Sequence, residues 1–289
     1  MDEKDVGRIG VVGGGLMGAG IAEVCSRAGL DVIVVERDAE AANVARRRLE
    51  GSLDRALRGG KLTEQDRDSA LGATVFADDM DALADRDLVI EAVAENESVK
   101  TEVFARVDAV VKRPDALFAS NTSSIPIMKL GMATDRPGQV IGMHFFNPVP
   151  VLTLVEIVPS LLTDPSTRQR AEAFVVDALG KQPVRSQDRA GFVVNALLVP
   201  YLLSAIRMME SGFASADDID AGMVRGCAHP MGPLRLTDLI GLDTTKAIAE
   251  SMYEEFKEPL YSPPPMLSRM VDAGLLGRKT GRGFYDYTA

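Results

Sequence analysis

Five residues, Arg8-Ile9-Gly10-Val11-Val12, run without a break into Gly13-Gly14-Gly15-Leu16-Met17-Gly18, and that junction restricts the chain to few folds. The apolar run reads as a short buried strand, and Leu16 to Ala28 as the helix after it, stopped at Gly29. In a G-x-G-x-x-G at such a junction the first glycine makes the tight turn and the second lets backbone approach a pyrophosphate. The third lets the helix pack closely, and the helix N-terminus offers N–H groups to the phosphates. Asp31 to Val35 reads as a second strand and ends at Glu36, about 20 residues on, where an acid holds ribose hydroxyls. The glycine motif alone is weak, but the order strand, glycines, helix, strand and acid reads as a dinucleotide site made by Gly13, Gly15, Leu16, Met17, Gly18 and Glu36. Glu36 favours NAD by repelling a 2′-phosphate. Arg37 beside it can attract that phosphate or simply be solvated, so NADP stays open.

Alternation continues through Thr74-Val75-Phe76, a short helix near Asp79 to Ala84, a strand from Asp87 to Val93 and a helix from Glu97 to Val111. Ala116 to Ala119 reads as the next strand, followed by the polar loop Ser120 to Ser124. The run Val140 to Met143 then delivers His144 before Pro148 and Pro150 stop the strand. This βαβα rhythm predicts a doubly wound parallel sheet of the α/β class, with ligands outside the carboxyl ends of the strands. Those ends carry the glycine loop, Glu36, Glu95, Asn121 with Ser123, and His144, so one cleft is expected to hold them all. A second apolar run brings in Glu156 among Leu154, Val155, Ile157 and Val158, where an unpaired carboxylate is costly. Two readings stay open on spacing alone: a carboxylate orienting the His144 imidazole as a general base, or a core histidine and a glutamate that never meet.

The chain has 289 residues, 46% of them hydrophobic and 26% charged, enough for a soluble protein of two domains. Its net charge of −10 argues against nucleic acid or an anionic membrane as partner. The basic cluster Arg46, Arg47, Arg48, Arg55, Arg58 and Lys61 is conspicuous against that charge and fits either an anionic ligand with several phosphates or a solvated helix face. Cys25 and Cys227, far apart, suit neither a disulfide framework nor a structural zinc site, and no metal-ligand spacing is present. The acidic start Met1 to Asp5 lacks the pattern of a signal peptide, and a cytoplasmic setting is expected.

Arg168 to Leu179 reads as a helix and Lys181 to Arg185 as a last edge strand, where Pro183 is tolerated. From Gly191 the pattern is helical: Phe192 to Ser211 around Pro200, Ala216 to Gly226, Leu234 to Glu258 as one or two, and Pro264 to Ala273. The expected division is residues 1–187, a Rossmann-like dinucleotide-binding domain, and 188–289, an all-helical domain for substrate binding and dimerisation. Asn195 in the apolar start of the first helix needs a partner, either another helix or a ligand. His229 before Pro230 reads as structural. Leu197, Leu198, Tyr201, Leu202 and Ile206 offer more apolar surface than so small a domain covers, which points to a homodimer.

Six segments carry a family resemblance: Gly13 to Ala22, Ile90 to Asn96, Ala119 to Ser124, His144 to Pro150, Gly191 to Asn195 and Gly277 to Tyr285. On these, nearly end to end, the chain resembles the L-3-hydroxyacyl-CoA dehydrogenases, and most of all their bacterial 3-hydroxybutyryl-CoA branch. The resemblance implies that His144 and Glu156 form the catalytic dyad, that Ser123 and Asn195 hold the reacting oxygen, and that Glu95, Lys100, Ser123, Asn147 and Lys279 line the nicotinamide cofactor. It further implies an acyl-CoA substrate whose phosphates meet Ser52, Arg55, Arg58 and Lys61. Two positions depart from the family. Glu36 stands where many relatives have Asp, and Gly59 where some have a CoA-binding lysine that Arg58 or Lys61 replaces. The rival expectations are a dehydrogenase of a small non-CoA hydroxy acid on the same plan, a non-catalytic crystallin-like dinucleotide binder, and a nucleotide-sensing regulator. The intact His144 and Glu156 argue against the second, and the third lacks an interaction module.

Overall fold

A computed structural model describes residues 6–288; Met1 to Asp5, read above for its lack of a signal pattern, lies outside the described residues. The chain divides into two compact units, one ending at Arg189 and the other beginning at Ala190.

The first unit is built on eight strands: β1 (Arg8–Val12), β2 (Asp31–Val35), β3 (Thr74–Ala77), β4 (Leu88–Glu91), β5 (Leu117–Ser120), β6 (Val140–Phe145), β7 (Leu154–Pro159) and β8 (Gln182–Arg185). They form one sheet in the order β3-β2-β1-β4-β5-β6-β7-β8. All of β4, β5 and β6 is buried, as strands covered on both faces must be. Strands β1 to β6 run parallel, and the chain changes direction of travel across the sheet between β1 and β4, the switch point beside which such folds bind nucleotides. Strand β7 then returns antiparallel to β6, with His144 directly opposite Glu156, and β8 closes the edge parallel to β7. The doubly wound sheet expected from the alternating pattern is therefore present, with an antiparallel return that the pattern did not reveal.

Helices α1 (Leu16–Arg27), α2 (Ala39–Arg58), α3 (Glu64–Gly72), α4 (Glu97–Val110), α5 (Ile127–Gly131) and α6 (Pro165–Ala173) accompany the sheet. Their starts follow capping chemistry. Asp38 accepts from Ala41 N–H, Thr63 and Asp66 form a reciprocal capping box, and Asn96 accepts from Val99 N–H. Two expectations shift. The helix near Asp79 to Ala84 is a single 3₁₀ turn, Met80–Leu83, and the helix expected to reach Leu179 leaves α-geometry at Phe174 for one π turn, Phe174–Ala178, which buries Phe174 and Val175.

In the second unit, α7 (Val194–Glu210), α8 (Ala216–Cys227), α9 (Pro233–Ile240), α10 (Leu242–Phe256) and α11 (Pro265–Asp272) surround a core of Val199, Leu203, Ile206, Leu234, Leu242 and Met252. Helix α7 begins later than expected because Phe192 has φ 47°, which no right-handed helix accommodates. The tail is fastened by two buried aspartates. Asp220 accepts from Leu234 and Arg235 N–H at the start of α9 and from Tyr285 Oη, while Asp238 accepts from Phe284 and Tyr285 N–H and from Tyr287 Oη. The apolar surplus differs from expectation: Leu202 and Ile206 are buried at 0% exposure, Ile206 within the unit's own core, whereas Leu197 is 74% and Phe213 79% exposed. Leu197, Tyr201, Ser204 and Met208 follow helical spacing, so the outward stripe of α7 is narrower than the sequence pattern implied. Among the described residues no helix is long and apolar enough to cross a membrane.

Candidate active site

At the end of β1 the chain must turn sharply beneath α1. Gly13 has φ 93° and takes its N–H to Val35 O at 2.9 Å, and a side chain at Gly18 would run into the Gly13 carbonyl. A Cβ at Gly15, in contrast, would meet nothing within 4 Å. Helix α1 has neither a side-chain cap nor an acid in its first turn, so its leading N–H groups stay available to an anion. A cavity of about 580 Å³ opens there, lined by Gly13, Gly15, Glu36, Met80, Val93 and Val99 among others. Open space, bare helix end and strand-end acid together fit a dinucleotide. Glu36 Oε1 is 2.7 Å from Gly14 N, so this acid also ties the glycine loop to β2. Arg37 is on the rim of the same cavity, 85% exposed and paired with Asp38 at 3.1 Å.

His144, one residue from the end of β6, is buried at 5% exposure, and Glu156 opposite it at 0%. Their Nδ1 and Oε2 are 2.7 Å apart. A carboxylate only accepts, so in the neutral ring Nδ1 carries the proton and Nε2 is left as the acceptor. Nε2 lies 3.1 Å from Ser123 Oγ, and the Phe146 ring packs 4.6 Å from the imidazole. The two side chains therefore meet, and the reading in which they stay apart is not realised.

Ser123 is placed by Glu95. One carboxylate oxygen accepts from Thr122 Oγ1 at 2.6 Å, Ser123 N–H at 2.9 Å and both donors of Ser124. The other faces Lys100 Nζ at 3.3 Å. Burial opposes the ionised form of Glu95, but Lys100 and the hydroxyl and amide donors outweigh it and hold its pKa below the usual carboxylate range. Lys100 itself does not reach open space: it is 0% exposed, 2.6 Å from the buried Glu91, which also accepts from Ser120 Oγ and Val93 N–H. The expectation that Lys100 lines the cofactor is thus replaced by an indirect place behind Glu95. Glu95 turns onto the Thr122–Ser124 loop, and the cavity beside the glycine turn is lined by the ends of β1, β2 and β4. Asn121 is structural, its Oδ1 accepting from Phe145 N–H at 2.8 Å and so fixing the end of β6. Asn147 is exposed just beyond it, before a cis peptide to Pro148.

The basic cluster splits. Arg46 lies over the Phe76 ring and Arg48 donates to Gly14 O at 2.9 Å, so both serve the fold. Arg47, Arg55, Arg58 and Lys61 stay exposed, with Ser52 half-buried beside them, and among the described residues none of these four cations forms an ion pair. In the second unit Asn195 is 8% exposed and its amide has no hydrogen-bond partner among the described residues, so the helix-to-helix bond weighed above is not made. Lys279 is ion-paired with Asp243 at 2.6 Å. Sequence reasoning missed Glu91, Thr122 and Ser124. The available signal was a glutamate ending a wholly apolar strand, which demands a partner such as the lysine nine residues on.

A family model described as 3-hydroxyacyl-CoA dehydrogenase, NAD binding domain, matches residues 8–189, and one described as its C-terminal domain matches residues 191–287. The 3-hydroxybutyryl-CoA dehydrogenase of Mycobacterium tuberculosis is 61% identical over 280 residues, 97% of this chain and 98% of that one. The human mitochondrial hydroxyacyl-coenzyme A dehydrogenase is 41% identical, covering 98% of this chain and 91% of its own. The crystal structure of (S)-3-hydroxybutyryl-CoA dehydrogenase from Ralstonia eutropha superposes with a TM-score of 0.93 at 44% identity, covering 99% of this chain and all of that one.

The depressed Glu95 pKa gives a signed pH dependence. Its contribution to stability is complete above the ordinary glutamate value of about 4.3 and is lost as pH falls through the lower folded value. Thermal denaturation across acid pH should therefore show a shallower acid limb in Glu95→Gln than in the parent. An unchanged limb would mean that Glu95 does not anchor the loop.

Proposed function

The chain belongs to the 3-hydroxyacyl-CoA dehydrogenase family, and on that premise we propose that it interconverts (S)-3-hydroxybutyryl-CoA and acetoacetyl-CoA, with His144 as general acid/base and Glu156 as its orienting partner. The observation that carries the reading is the His144 ring held at Nδ1 by Glu156 with Nε2 turned to Ser123 Oγ. NAD, when bound, supplies the hydride acceptor for oxidation, and NADH the donor for reduction. In oxidation Nε2 takes the proton of the 3-hydroxyl, and Glu156 offsets the positive charge the imidazole acquires. In reduction the imidazolium returns a proton to the 3-keto oxygen. Ser123 Oγ donates to that oxygen as charge develops, and the unpartnered Asn195 amide is assigned a second donation. Asn147 and Lys279 contact the nicotinamide half of the cofactor, with Glu95 and Lys100 behind them as supports. Glu36 selects NAD over NADP, since Arg37 is engaged by Asp38. Steady-state rates with acetoacetyl-CoA against free acetoacetate, each with NADH and with NADPH, test the assignment. Turnover confined to the CoA ester with NADH is expected. Equal turnover of free acetoacetate, or equal efficiency with NADPH, would contradict the corresponding half.

His144→Gln should lower kcat by about 10² to 10⁴, the usual worth of a positioned proton-transfer group, while cofactor binding survives. Glu156→Gln should also lose kcat, and the double substitution should fall short of the product of the single losses because the two act as one unit. Independent, multiplying losses would separate the two residues.

The four unpaired cations of α2 and its C-terminal turn are assigned to the CoA phosphates together with Ser52. Reversing Arg55 and Arg58 to Glu should raise the KM for acetoacetyl-CoA with little change in kcat and almost none in the KM for NADH. Unchanged KM values would reduce the cluster to a solvated face.

The exposed stripe of α7, with Phe213, is assigned to a homodimer contact of more than about 1,000 Å². Light scattering at micromolar concentration should give twice the chain mass, and a monomer there would remove the assignment.

A further inference from the structure

Between the dyad's two strands, residues 146–153 form the only covalent bridge from His144 to Glu156 in one direction along the chain, and Asn147 lies on it. The loop is held from beneath by Lys181. Its Nζ donates to Val149 O at 2.7 Å and to Leu152 O at 2.6 Å, and the residue is 8% exposed. Pro148 O accepts from Val151 and Leu152 N–H, each at 3.0 Å, so the same few residues form a compact turn with the ammonium beneath it. The next residue, Gln182, donates its N–H to Thr153 O at 2.8 Å as β8 meets β7. The π turn before it supplies the approach, since Lys181 N–H reaches back to Val175 O after Gly180 turns at φ 61°.

The environment of this ammonium is unusual. Among the described residues no carboxylate pairs with it, and the neighbouring charged group is Arg27. Burial lowers its pKa and Arg27 adds to that, while the nearby Cys25 thiol, pushed up to about 12 by its own burial, supplies no thiolate at neutral pH. A buried cation without a counter-charge is costly, and a methionine would fill a similar volume without that cost. Stability alone therefore does not account for a lysine here, whereas fixing two carbonyls of one loop does.

We propose that Lys181 is a positioning residue for the reaction: by clamping the carbonyls of Val149 and Leu152 it sets the 146–153 loop, and through it the place of Asn147 beside the dyad. Helix α1 also packs closely on the loop, where a Cβ on Gly20 would come within 2.9 Å of Val149 Cβ. Lys181 touches neither cofactor nor substrate and acts only through the loop. The inference rests on the dyad and on Asn147 as a cofactor contact.

Lys181→Met in the full-length chain removes the clamp and keeps the volume. Kinetics with acetoacetyl-CoA and NADH should show kcat lowered by about 10²-fold, the scale of a misplaced reacting group, together with a raised KM for NADH and a nearly unchanged KM for acetoacetyl-CoA. Gly20→Ala, which pushes the same loop from the α1 side, should reproduce the pattern in weaker form and serves if Lys181→Met fails to fold. A variant with lower melting temperature but unaltered KM values, and with kcat falling only in proportion to the folded fraction, would make Lys181 a structural residue and overturn the proposal. Failure of the dyad itself would appear separately, as retained turnover in His144→Gln.

Discussion

Glu156 is a carboxylate with no exposed surface, and the one imidazole opposite it on the neighbouring strand is what makes its burial tolerable. That pairing depends on register. Side chains alternate between the faces of a sheet, so a slip of one residue between β6 and β7 would send the two groups to opposite sides. The apolar neighbours Met143, Phe145, Val155 and Ile157, each at most 1% exposed, make such a slip expensive. The packing of the sheet and the alignment of His144 with Glu156 are thus one constraint.

Around that pair the polar groups are arranged in a graded order. Glu91 and Lys100 neutralise each other in the interior, Lys100 shares its charge with Glu95, and Glu95 spends its acceptors on the Thr122–Ser124 loop. Ser123 Oγ, at the end of this series, meets His144 Nε2. Asp188 adds a second anchor to the same region by accepting from Ile127 and Met128 N–H at the start of α5. A loop with so many donors directed at carboxylates has little freedom, which suits the oxygen-holding role proposed for Ser123.

The parts legible in the sequence were those governed by local rules. The glycine turn and the alternating elements each follow from short-range sterics and hydrogen bonding, and Gly13 makes its turn between β1 and α1 as read. The parts that were not legible depend on partners distant along the chain. Nothing local to Lys100 shows that Glu91 will bury it, and nothing local to Leu202 or Ile206 tells a core stripe from an outward one. The antiparallel return of β7 was equally hidden, because an apolar strand reads the same in either direction. The π turn at Phe174 also left no mark, since no Gly or Pro falls within Phe174–Ala178 and the extra residue answers to core packing around Phe174 and Val175.

The central proposal is that cross-strand register fixes the His144 tautomer with Nε2 turned to Ser123 Oγ. Nitrogen-15 NMR of the imidazole reads this directly. The account predicts that whenever the ring is neutral its proton sits on Nδ1 in the parent protein, and that this fixed tautomer is lost in Glu156→Gln. A neutral ring protonated on Nε2, or one with the same tautomer and the same lack of averaging after Glu156→Gln, would contradict it.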